Sequence, residues 1–267
     1  MLIDTGIPIL LAYLLLGAIA GVIGGLLGLG GGIIIVPALL YLFIRQGLPA
    51  EILMHLAVAT SLVTIVFTSI SSTFAHHRRG AVLWPQVKLF VPGIIVGGVL
   101  GAMIVDHLSS DNLRIAFGIF EILVAIQIGF GVEPSAHREL PGFGGMFVAG
   151  GGIGTLSTVL GIGGGTLTVP FLLWCNVNIR NAVATSSASG LPIALVGAIA
   201  MIITGWNSQS LPAGSIGYVY WPAAMFILVA SIFSAPLGAQ LTHTLPIKLL
   251  KLIFAFVVFC VGIRMLI

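Results

Sequence analysis

Two long stretches without a charged residue constrain the fold of this chain more than any other feature. Forty residues separate Asp4 from Arg45, and none of them is charged. Another forty uncharged residues separate Glu139 from Arg180. Forty residues of α-helix would be about 60 Å long, twice the roughly 30 Å thickness of a bilayer's hydrocarbon core. Each stretch therefore predicts more than one membrane segment, with a break between the segments.

The composition also favours a membrane protein. The chain of 267 residues is 58% hydrophobic and 6% charged, whereas a soluble domain carries about 25% charged residues. So few charges could not cover the surface of a soluble fold of this size, and the bilayer is the expected solvent. The formal net charge of +3 is small and gives no indication of nucleic-acid binding. We predict an all-α polytopic membrane protein.

The break in each uncharged stretch is a glycine motif that occurs twice. It reads G-(L/I)-G-G-G-x-x-x-V-P at residues 28–37 and again at 161–170. Consecutive glycines cost a helix roughly 1 kcal/mol each relative to alanine, and they leave backbone groups that lipid cannot satisfy. Such a break is tolerated only where it is buried in protein or lines a wet cavity. Paired breaks in the two halves of a chain are typical of a transporter's binding site.

Other landmarks repeat in the same order and predict a duplicated chain. The pentapeptide A-V-A-T-S and the dipeptide Trp-Pro each follow both copies of the glycine motif. Their copies are residues 57–61 and 182–186, and Trp84-Pro85 and Trp221-Pro222. We therefore expect two homologous transmembrane repeats, residues 1–131 and 142–267, joined by a linker at 132–141.

The glycine motif divides the first uncharged stretch into a long segment and a short one. The short segment and its counterpart in the second half could each be a re-entrant half-helix or a full span, which gives eight to ten membrane segments in all. Glycines four residues apart in the first and fourth segments predict close helix packing. The segments are 7–27, 33–45, 50–76, 86–106 and 112–131, the short counterpart is 166–176, and the glycine faces are Gly17, Gly21 and Gly25, and Gly97 and Gly101.

The distribution of basic residues favours inverted repeats. With five segments in each repeat, equivalent loops lie on opposite faces of the membrane, and equivalent loops in this chain do differ in charge. One face then collects seven basic residues and the other collects three. Because cytoplasmic loops are enriched in Lys and Arg, the first face is predicted to be cytoplasmic and both termini to be outside. The first face holds Arg78, Arg79, Lys88, Arg138, Arg180, Lys248 and Lys251, and the second holds Arg45, Arg114 and Arg264.

The glycine motif is also the first candidate binding site. An unwound loop followed by a half-helix presents free N–H groups and about half a positive charge, which suits the oxygens of an anion. The other interpretation is that the glycines only let helices cross closely. Because the motif occurs twice, each time before Val-Pro, we favour binding; Thr166 and Thr168 make the second copy the more polar one. The candidate residues are Gly30, Gly31, Gly32, Gly163, Gly164 and Gly165.

The duplicated pentapeptide supplies the second set of candidates. It places two hydroxyl groups near the start of the third segment of each repeat, where they could bind an anion without adding charge. Hydrogen bonding between helices, or to the preceding helical turn, is the alternative. The candidates are Thr60, Ser61, Thr185 and Ser186.

Glu121 is the clearest ionisable residue that is predicted to lie deep in the membrane. Such residues are expensive there and mark functional sites by default, so we expect Glu121 to take part in proton coupling. The repeat equivalent of Glu121 is Val258, so this feature breaks the symmetry. A structural glutamate that faces a polar neighbour is the alternative. Nothing in the sequence implies a bound metal or cofactor.

The two motifs carry a family resemblance. The duplicated G-x-G-G-G-x-x-x-V-P, with A-V-A-T-S in each half, resembles the TauE/SafE family of sulfite exporters, also called the TSUP family. The resemblance covers essentially the whole chain. It implies a multi-pass permease of the bacterial or archaeal inner membrane that moves small sulfur-containing anions such as sulfite, thiosulfate, sulfoacetate or other organosulfonates.

The expected function is therefore secondary transport, with the anion bound near the midplane between the repeats and access alternating as the two halves rock. No ATPase motif is present, so the proton gradient or the substrate gradient would drive it. The alternatives are a passive anion channel, an accessory membrane subunit, and an intramembrane enzyme. Against an enzyme, the sequence lacks H-E-x-x-H and G-x-S-x-G. The expected partners are the anion and the lipid bilayer, without nucleic acid.

Overall fold

The computed structural model describes residues 6–27, 30–129, 139–208, 210–241 and 247–267. The regular secondary structure of the described part is ten α-helices, two single-turn 3-10 helices (Ala50–Ile52 and Gly205–Asn207) and one pair of two-residue strands. Most of the predicted linker, residues 132–138, lies outside the described residues. The helices are α1 (Ile7–Leu27), α2 (Gly32–Arg45), α3 (Leu53–His77), α4 (Trp84–His107), α5 (Ser110–Gly129), α6 (Phe143–Leu160), α7 (Gly165–Trp174), α8 (Ile179–Thr204), α9 (Trp221–Leu241) and α10 (Ile247–Leu266); the strands are β1 (Ser215–Ile216) and β2 (Val219–Tyr220).

The helix lengths confirm a multi-pass all-α membrane protein. Within the described residues, seven helices are long and apolar enough to cross a bilayer, namely α1, α3, α4, α5, α6, α8 and α9. Helix α10 has 20 residues. Helices α2 and α7 have 14 and 10 residues, about 21 and 15 Å of helix, and fall short of a hydrocarbon core of about 30 Å. The predicted segments 33–45 and 166–176 are therefore half-helices.

The bundle buries its polar side chains and exposes its apolar ones. Ile7, Leu11 and Leu15 lie one turn apart on α1 and are exposed, as expected of a face that contacts lipid. Helix α3 is the most buried of the spanning helices. Six of its eight hydroxyl residues are buried, namely Thr60, Ser61, Thr64, Thr68, Ser69 and Ser72. A polar interior inside an apolar surface is the arrangement that a bilayer requires.

Helices α3 and α8 run antiparallel through the centre of the bundle. Leu62 contacts the backbone position of Gly197 near one end, and Ser69 contacts that of Gly190 further along. Still further along, Ser72 donates a hydrogen bond to Ser187. The residue number of the α8 partner falls as the residue number on α3 rises, so the two helices point in opposite directions. Helices α5 and α10 are antiparallel in the same sense, with Gly118 against Gly262 and Gly129 against Ala255.

The predicted glycine faces pack two further helix pairs, and these pairs are parallel. A Cβ on Gly17 would lie 2.3 Å from the backbone oxygen of Ile227 in α9. In the other pair, a Cβ on Gly97 would lie 2.1 Å from the backbone oxygen of Gly151 in α6. Any side chain larger than hydrogen would separate these helices, so the packing predicted from the glycine spacing is confirmed. Helix α1 thus packs on α9, and α4 packs on α6.

These directions support the predicted inverted repeats. Helices α3 and α8 are equivalent in the repeat interpretation, as are α5 and α10, and each pair is antiparallel. The repeat interpretation also makes α1 equivalent to α6 and α9 equivalent to α4. A two-fold axis in the membrane plane would therefore turn the pair α1–α9 into the pair α6–α4, and both pairs are parallel. The duplication itself stays a prediction that rests on these directions and on the sequence landmarks.

The helix directions also place the charged residues at the two ends of the bundle. Arg45 at the end of α2 and Arg264 at the end of α10 both lie over the ring of Tyr41. At the opposite end, Arg79 donates a hydrogen bond to the backbone oxygen of Ala239 near the end of α9. The groups of three and seven basic residues therefore belong to opposite ends wherever their side chains are described. The side chains of Arg138, Lys248 and Lys251 lie outside the described residues.

The topology predicts opposite accessibility for two loop positions. Exposed His77 ends α3 and exposed Asn207 follows α8, and α3 and α8 are antiparallel. In a chain whose Cys175 and Cys260 are replaced, a membrane-impermeant maleimide added to intact cells should label Asn207→Cys. It should label His77→Cys only after permeabilisation. Labelling of both positions from one side would contradict the inverted topology.

Candidate functional site

The two glycine loops meet at the centre of the bundle. A Cβ on Gly30 would lie 3.0 Å from the Cα of Gly163 and 3.1 Å from Cγ2 of Ile65. Ile65 is halfway along α3. The first loop therefore touches the second at the middle of the most buried helix, and the contact leaves no room for a side chain at Gly30.

Each loop leads into the N-terminus of a half-helix. Gly31 precedes α2 with φ 82°, and Gly164 precedes α7 with φ 74°, a left-handed conformation that favours glycine. Helices α2 and α7 start at the loop contact and run toward opposite ends of the bundle. In the described part of the chain no acceptor is found for the first-turn amides of Gly32, Ile33, Gly165 and Thr166. Two partial positive charges and unpaired donors therefore converge at mid-bundle.

A narrow polar crevice adjoins the loop contact. Hydroxyl groups from the second part of α3 and the first part of α8 line it, so it extends toward the end of the bundle that carries Arg79. Among the described residues, no charged side chain lines the crevice, and they leave no space in it wide enough for a water molecule. Its lining residues are Gly24, Gly30, Gly163, Thr68, Ser69, Ser72 and Ser187.

The four predicted hydroxyl ligands are all buried, but they have different surroundings. Ser61 donates a 2.8 Å hydrogen bond to the backbone oxygen of Gly161, at the start of the second glycine motif. Thr60 accepts a 3.0 Å hydrogen bond from the amide of Tyr220, and Thr185 accepts one of 3.1 Å from the amide of Leu83. These two threonines secure the chain just before α9 and α4 and do not line the crevice.

The crevice hydroxyls of Thr68, Ser69, Ser72 and Ser187 were not among the residues singled out from the sequence. Thr68 and Ser72 are four residues apart on α3, so they share one face of an otherwise apolar helix. Ser187 directly follows the second pentapeptide. A periodic pattern of hydroxyl residues was therefore the available signal, although only the antiparallel contact of α3 with α8 brings these residues together.

Glu121 is fully buried within the protein, but it lies away from the glycine loops. A Cβ on Gly262 of α10 would be 3.1 Å from Cβ of Glu121, so the residue faces the α5–α10 interface. Neither carboxyl oxygen of Glu121 has a hydrogen-bond partner among the described residues. The repeat equivalent, Val258, is also buried. The role of Glu121 in proton coupling stays a prediction.

The strand pair closes the end of the bundle opposite the crevice. Tyr218 lies between the strands, and its hydroxyl donates a 3.0 Å hydrogen bond to Asp106. Its ring centroid is 5.0 Å from that of His55 on α3. Burial, and then the carboxylate of Asp106, raises the pKa of Tyr218 to about 12, so this donor persists throughout the physiological pH range. Tyr220 packs edge-on against Phe43 of α2.

Together, the seven apolar spans and the uncharged polar centre between two opposed half-helices define a multi-pass membrane transporter. The family described as sulfite exporter TauE/SafE matches residues 13–265, and the chain belongs to that family.

Relatives along almost the whole chain carry transporter names. A probable membrane transporter protein of Haemophilus influenzae is 34% identical over 258 residues, covering 96% of this chain and 97% of the relative. The probable membrane transporter protein YunE of Bacillus subtilis is 29% identical over 275 residues, covering 94% and 95%. A third, from Methanocaldococcus jannaschii, is 29% identical over 258 residues, covering 95% and 94%. No solved structure matches this chain. The relatives come from bacteria and archaea, and they support multi-pass membrane localisation.

The hydrogen bonds of Thr60 and Thr185 predict that these residues act on stability. Thr60→Val would leave the buried amide of Tyr220 without an acceptor, which costs about 1–3 kcal/mol of unfolding free energy. Thr64→Val is the matched control, because the Thr64 hydroxyl donates to the backbone oxygen of Ser61, which can remain paired in the helix. Thermal unfolding of the purified proteins should show a lower Tm for Thr60→Val than for Thr64→Val. Equal Tm values together with weaker substrate binding would instead make Thr60 a ligand.

Proposed function

We propose that this protein is a secondary transporter of small sulfur-containing anions, such as sulfite, thiosulfate, sulfoacetate or another organosulfonate. The meeting of two opposed half-helix N-termini at Gly30 and Gly163 carries the proposal. The family name, sulfite exporter TauE/SafE, supports the substrate class. Glycine-loop amides would supply most of the ligands, with serine and threonine hydroxyls completing the shell.

The charge distribution supports an anion that is held by dipoles. No lysine or arginine is found among the described residues that line the crevice beside the loops, and the basic side chains that the structure describes lie near the ends of the bundle. The positive potential at the centre would therefore come from amide groups and helix ends. A full charge buried there would bind an anion strongly and slow its release, whereas partial charges allow both binding and release.

A carrier is favoured over a channel because the crevice is closed. No space in it holds a water molecule, whereas a sulfur oxyanion is several times larger. Binding would require α3 and α8 to separate along the interface that the crevice follows. The strand pair closes one end of the bundle, and the crevice extends toward the other end. Opening the two ends in turn would give alternating access.

The packing suggests which helices would move together. Helices α1, α2 and α9 pack on α3, directly or through one another, and α6, α7 and α4 are arranged likewise around α8. Each group takes one helix from the opposite repeat, so the moving bodies would not be the two sequence halves. The crevice lies between the two groups.

The glycine conformations give the first test of the site. Gly164→Ala would place a Cβ at φ 74° and 2.3 Å from Cδ1 of Ile193. Gly47→Ala is the matched control, because Gly47 has φ 67° and nothing within 4 Å. In proteoliposomes that take up labelled thiosulfate, Gly164→Ala should reduce the uptake rate about tenfold or more, while Gly47→Ala should stay near wild type.

Normal uptake by Gly164→Ala would reduce the glycine motif to a packing device. Wild-type uptake that does not saturate with thiosulfate concentration would favour a channel. An absence of sulfite, thiosulfate and sulfoacetate flux through the wild-type protein would contradict the proposed function, and flux that needs an added protein would indicate an accessory subunit.

Glu121 is proposed as the proton-coupling residue. A buried carboxylate without a partner is costly, and protonation or a moving counter-charge relieves that cost. Glu121→Gln keeps the shape and removes the titration, so it should leave thiosulfate binding largely intact and flatten the pH dependence of uptake. Asp111→Asn is the control, because Asp111 is exposed on the same helix. An unchanged pH profile in Glu121→Gln would assign the residue a structural role.

A further inference from the structure

Several buried hydroxyl groups in the second half of the bundle have no hydrogen-bond partner among the described residues, and three of them belong to the three helices next to the second glycine loop. Ser157 of α6, Thr168 of α7 and Ser189 of α8 are 0%, 1% and 0% exposed. Their hydroxyl oxygens have no hydrogen-bond partner in the part of the chain that the structure describes. We infer that these three hydroxyls form an oxyanion subsite for the sulfo group of the substrate, an inference that rests on the proposed function.

Two of the three hydroxyls border the start of α7, and the third lies on the face of α8 beside it. A Cβ on Gly164 would lie 3.5 Å from Oγ of Ser157 and 3.6 Å from Oγ1 of Thr168, and it would also touch Ile193. Ser189 precedes Ile193 by four residues on α8, so the two side chains share one helix face. Helices α6 and α7 therefore each bring a hydroxyl to the residue that caps α7, and α8 carries the third hydroxyl on the face that contacts this residue.

Some other hydroxyls in the same helices do have partners, whereas those of Thr158, Thr166 and Thr204 also have none among the described residues. Thr155 of α6 donates to the backbone oxygen of Gly151, and Ser187 of α8 donates to that of Val183, each four residues earlier. This local bond is the usual way to satisfy a hydroxyl inside an apolar helix. Ser157, Thr168 and Ser189 do not make it, so their O–H groups remain available to a ligand.

The surroundings favour an anion over a cation. The amides of Gly165 and Thr166 in the first turn of α7 also lack acceptors among the described residues, and the N-terminus of a helix carries partial positive charge. Neutral hydroxyl donors beside such a terminus match a group with several negatively charged oxygens. A sulfo group presents three oxygens, one for each hydroxyl, whereas a carboxylate presents two.

The subsite belongs to the second half alone. In the repeat interpretation, the equivalents of Ser157 and Thr168 are Gly24 and Ile35, which have no hydroxyl. The equivalent of Ser189 is Thr64, whose hydroxyl already donates to the backbone oxygen of Ser61. The sulfo group would therefore be held by α6, α7 and α8, and the rest of the substrate would face the first glycine loop.

Equilibrium binding of radiolabelled thiosulfate to the purified full-length protein tests the subsite. Thr168→Val and Ser157→Ala should each raise the Kd at least about tenfold, since each removes a hydrogen bond to a charged group. Thr168→Ser keeps the hydroxyl and should restore binding to within about threefold of wild type. Thr158→Val is the matched control, because its hydroxyl is also buried and without a described partner but lies against Gly98 and Gly197.

Competition extends the test to the chemistry of the ligand. Methanesulfonate should lose more competing affinity than acetate when Thr168 is replaced by valine. If wild type binds thiosulfate and both Thr168→Val and Ser157→Ala bind it equally well, the subsite is refuted while the proposed function stands. If wild type binds no sulfur anion, the proposed function itself fails. Replacement of sodium by choline tests whether the hydroxyls bind a cation instead. If the variants change the sodium dependence of thiosulfate binding but leave the Kd at saturating sodium unchanged, the hydroxyls belong to a cation site and the inference is overturned.

Discussion

The need to satisfy backbone groups away from water determines where every other part of this bundle lies. Two glycine loops interrupt helices at mid-bundle, and lipid offers no partner for their N–H and C=O groups. The protein supplies some partners, such as the Ser61 hydroxyl for the carbonyl of Gly161, and it encloses both loops between α3 and α8. This enclosure makes α3 the most buried spanning helix and concentrates hydroxyl residues on it. The amides that remain unpaired at the two half-helix N-termini supply partial positive charge at the centre.

The helices of this bundle meet in two ways: backbones approach each other at glycine, and side chains of α3 contact α8. Helix contacts through glycine, such as Gly17 against Ile227 and Gly97 against Gly151, fix α1 on α9 and α4 on α6 at backbone distance. The α3–α8 interface also includes hydroxyl contacts, such as the 3.3 Å hydrogen bond from Ser72 to Ser187. In the proposed alternating-access mechanism, the helices within each group would stay together, and the two groups would separate along α3 and α8, where the glycine loops meet.

The sequence predicted the elements of this structure better than its contacts. Glycine spacing and charge gaps gave the helix bounds to within a few residues, because both signals are local. The pairing of α1 with α9 was not predictable, since spacing marks a packing face and does not name its partner. The pentapeptide located a buried region correctly, but Thr60 and Thr185 bond to the amides of Tyr220 and Leu83. Which hydroxyl faces the crevice depends on helix rotation, which a run of apolar residues leaves undetermined.

The contact between α1 and α9 has a consequence for the synthesis of the protein. Roughly 200 residues separate the end of α1 from the end of α9, which at about 5–20 residues per second is roughly 10–40 s of translation. During that time the glycine face of α1 has no native partner, and lipid or the insertion machinery must cover it. Helix α6 is synthesised soon after α4, so the glycine contact between α4 and α6 can form while translation continues. The two glycine-packed helix pairs are thus assembled at different times, and α1 remains longer than α4 without its native partner.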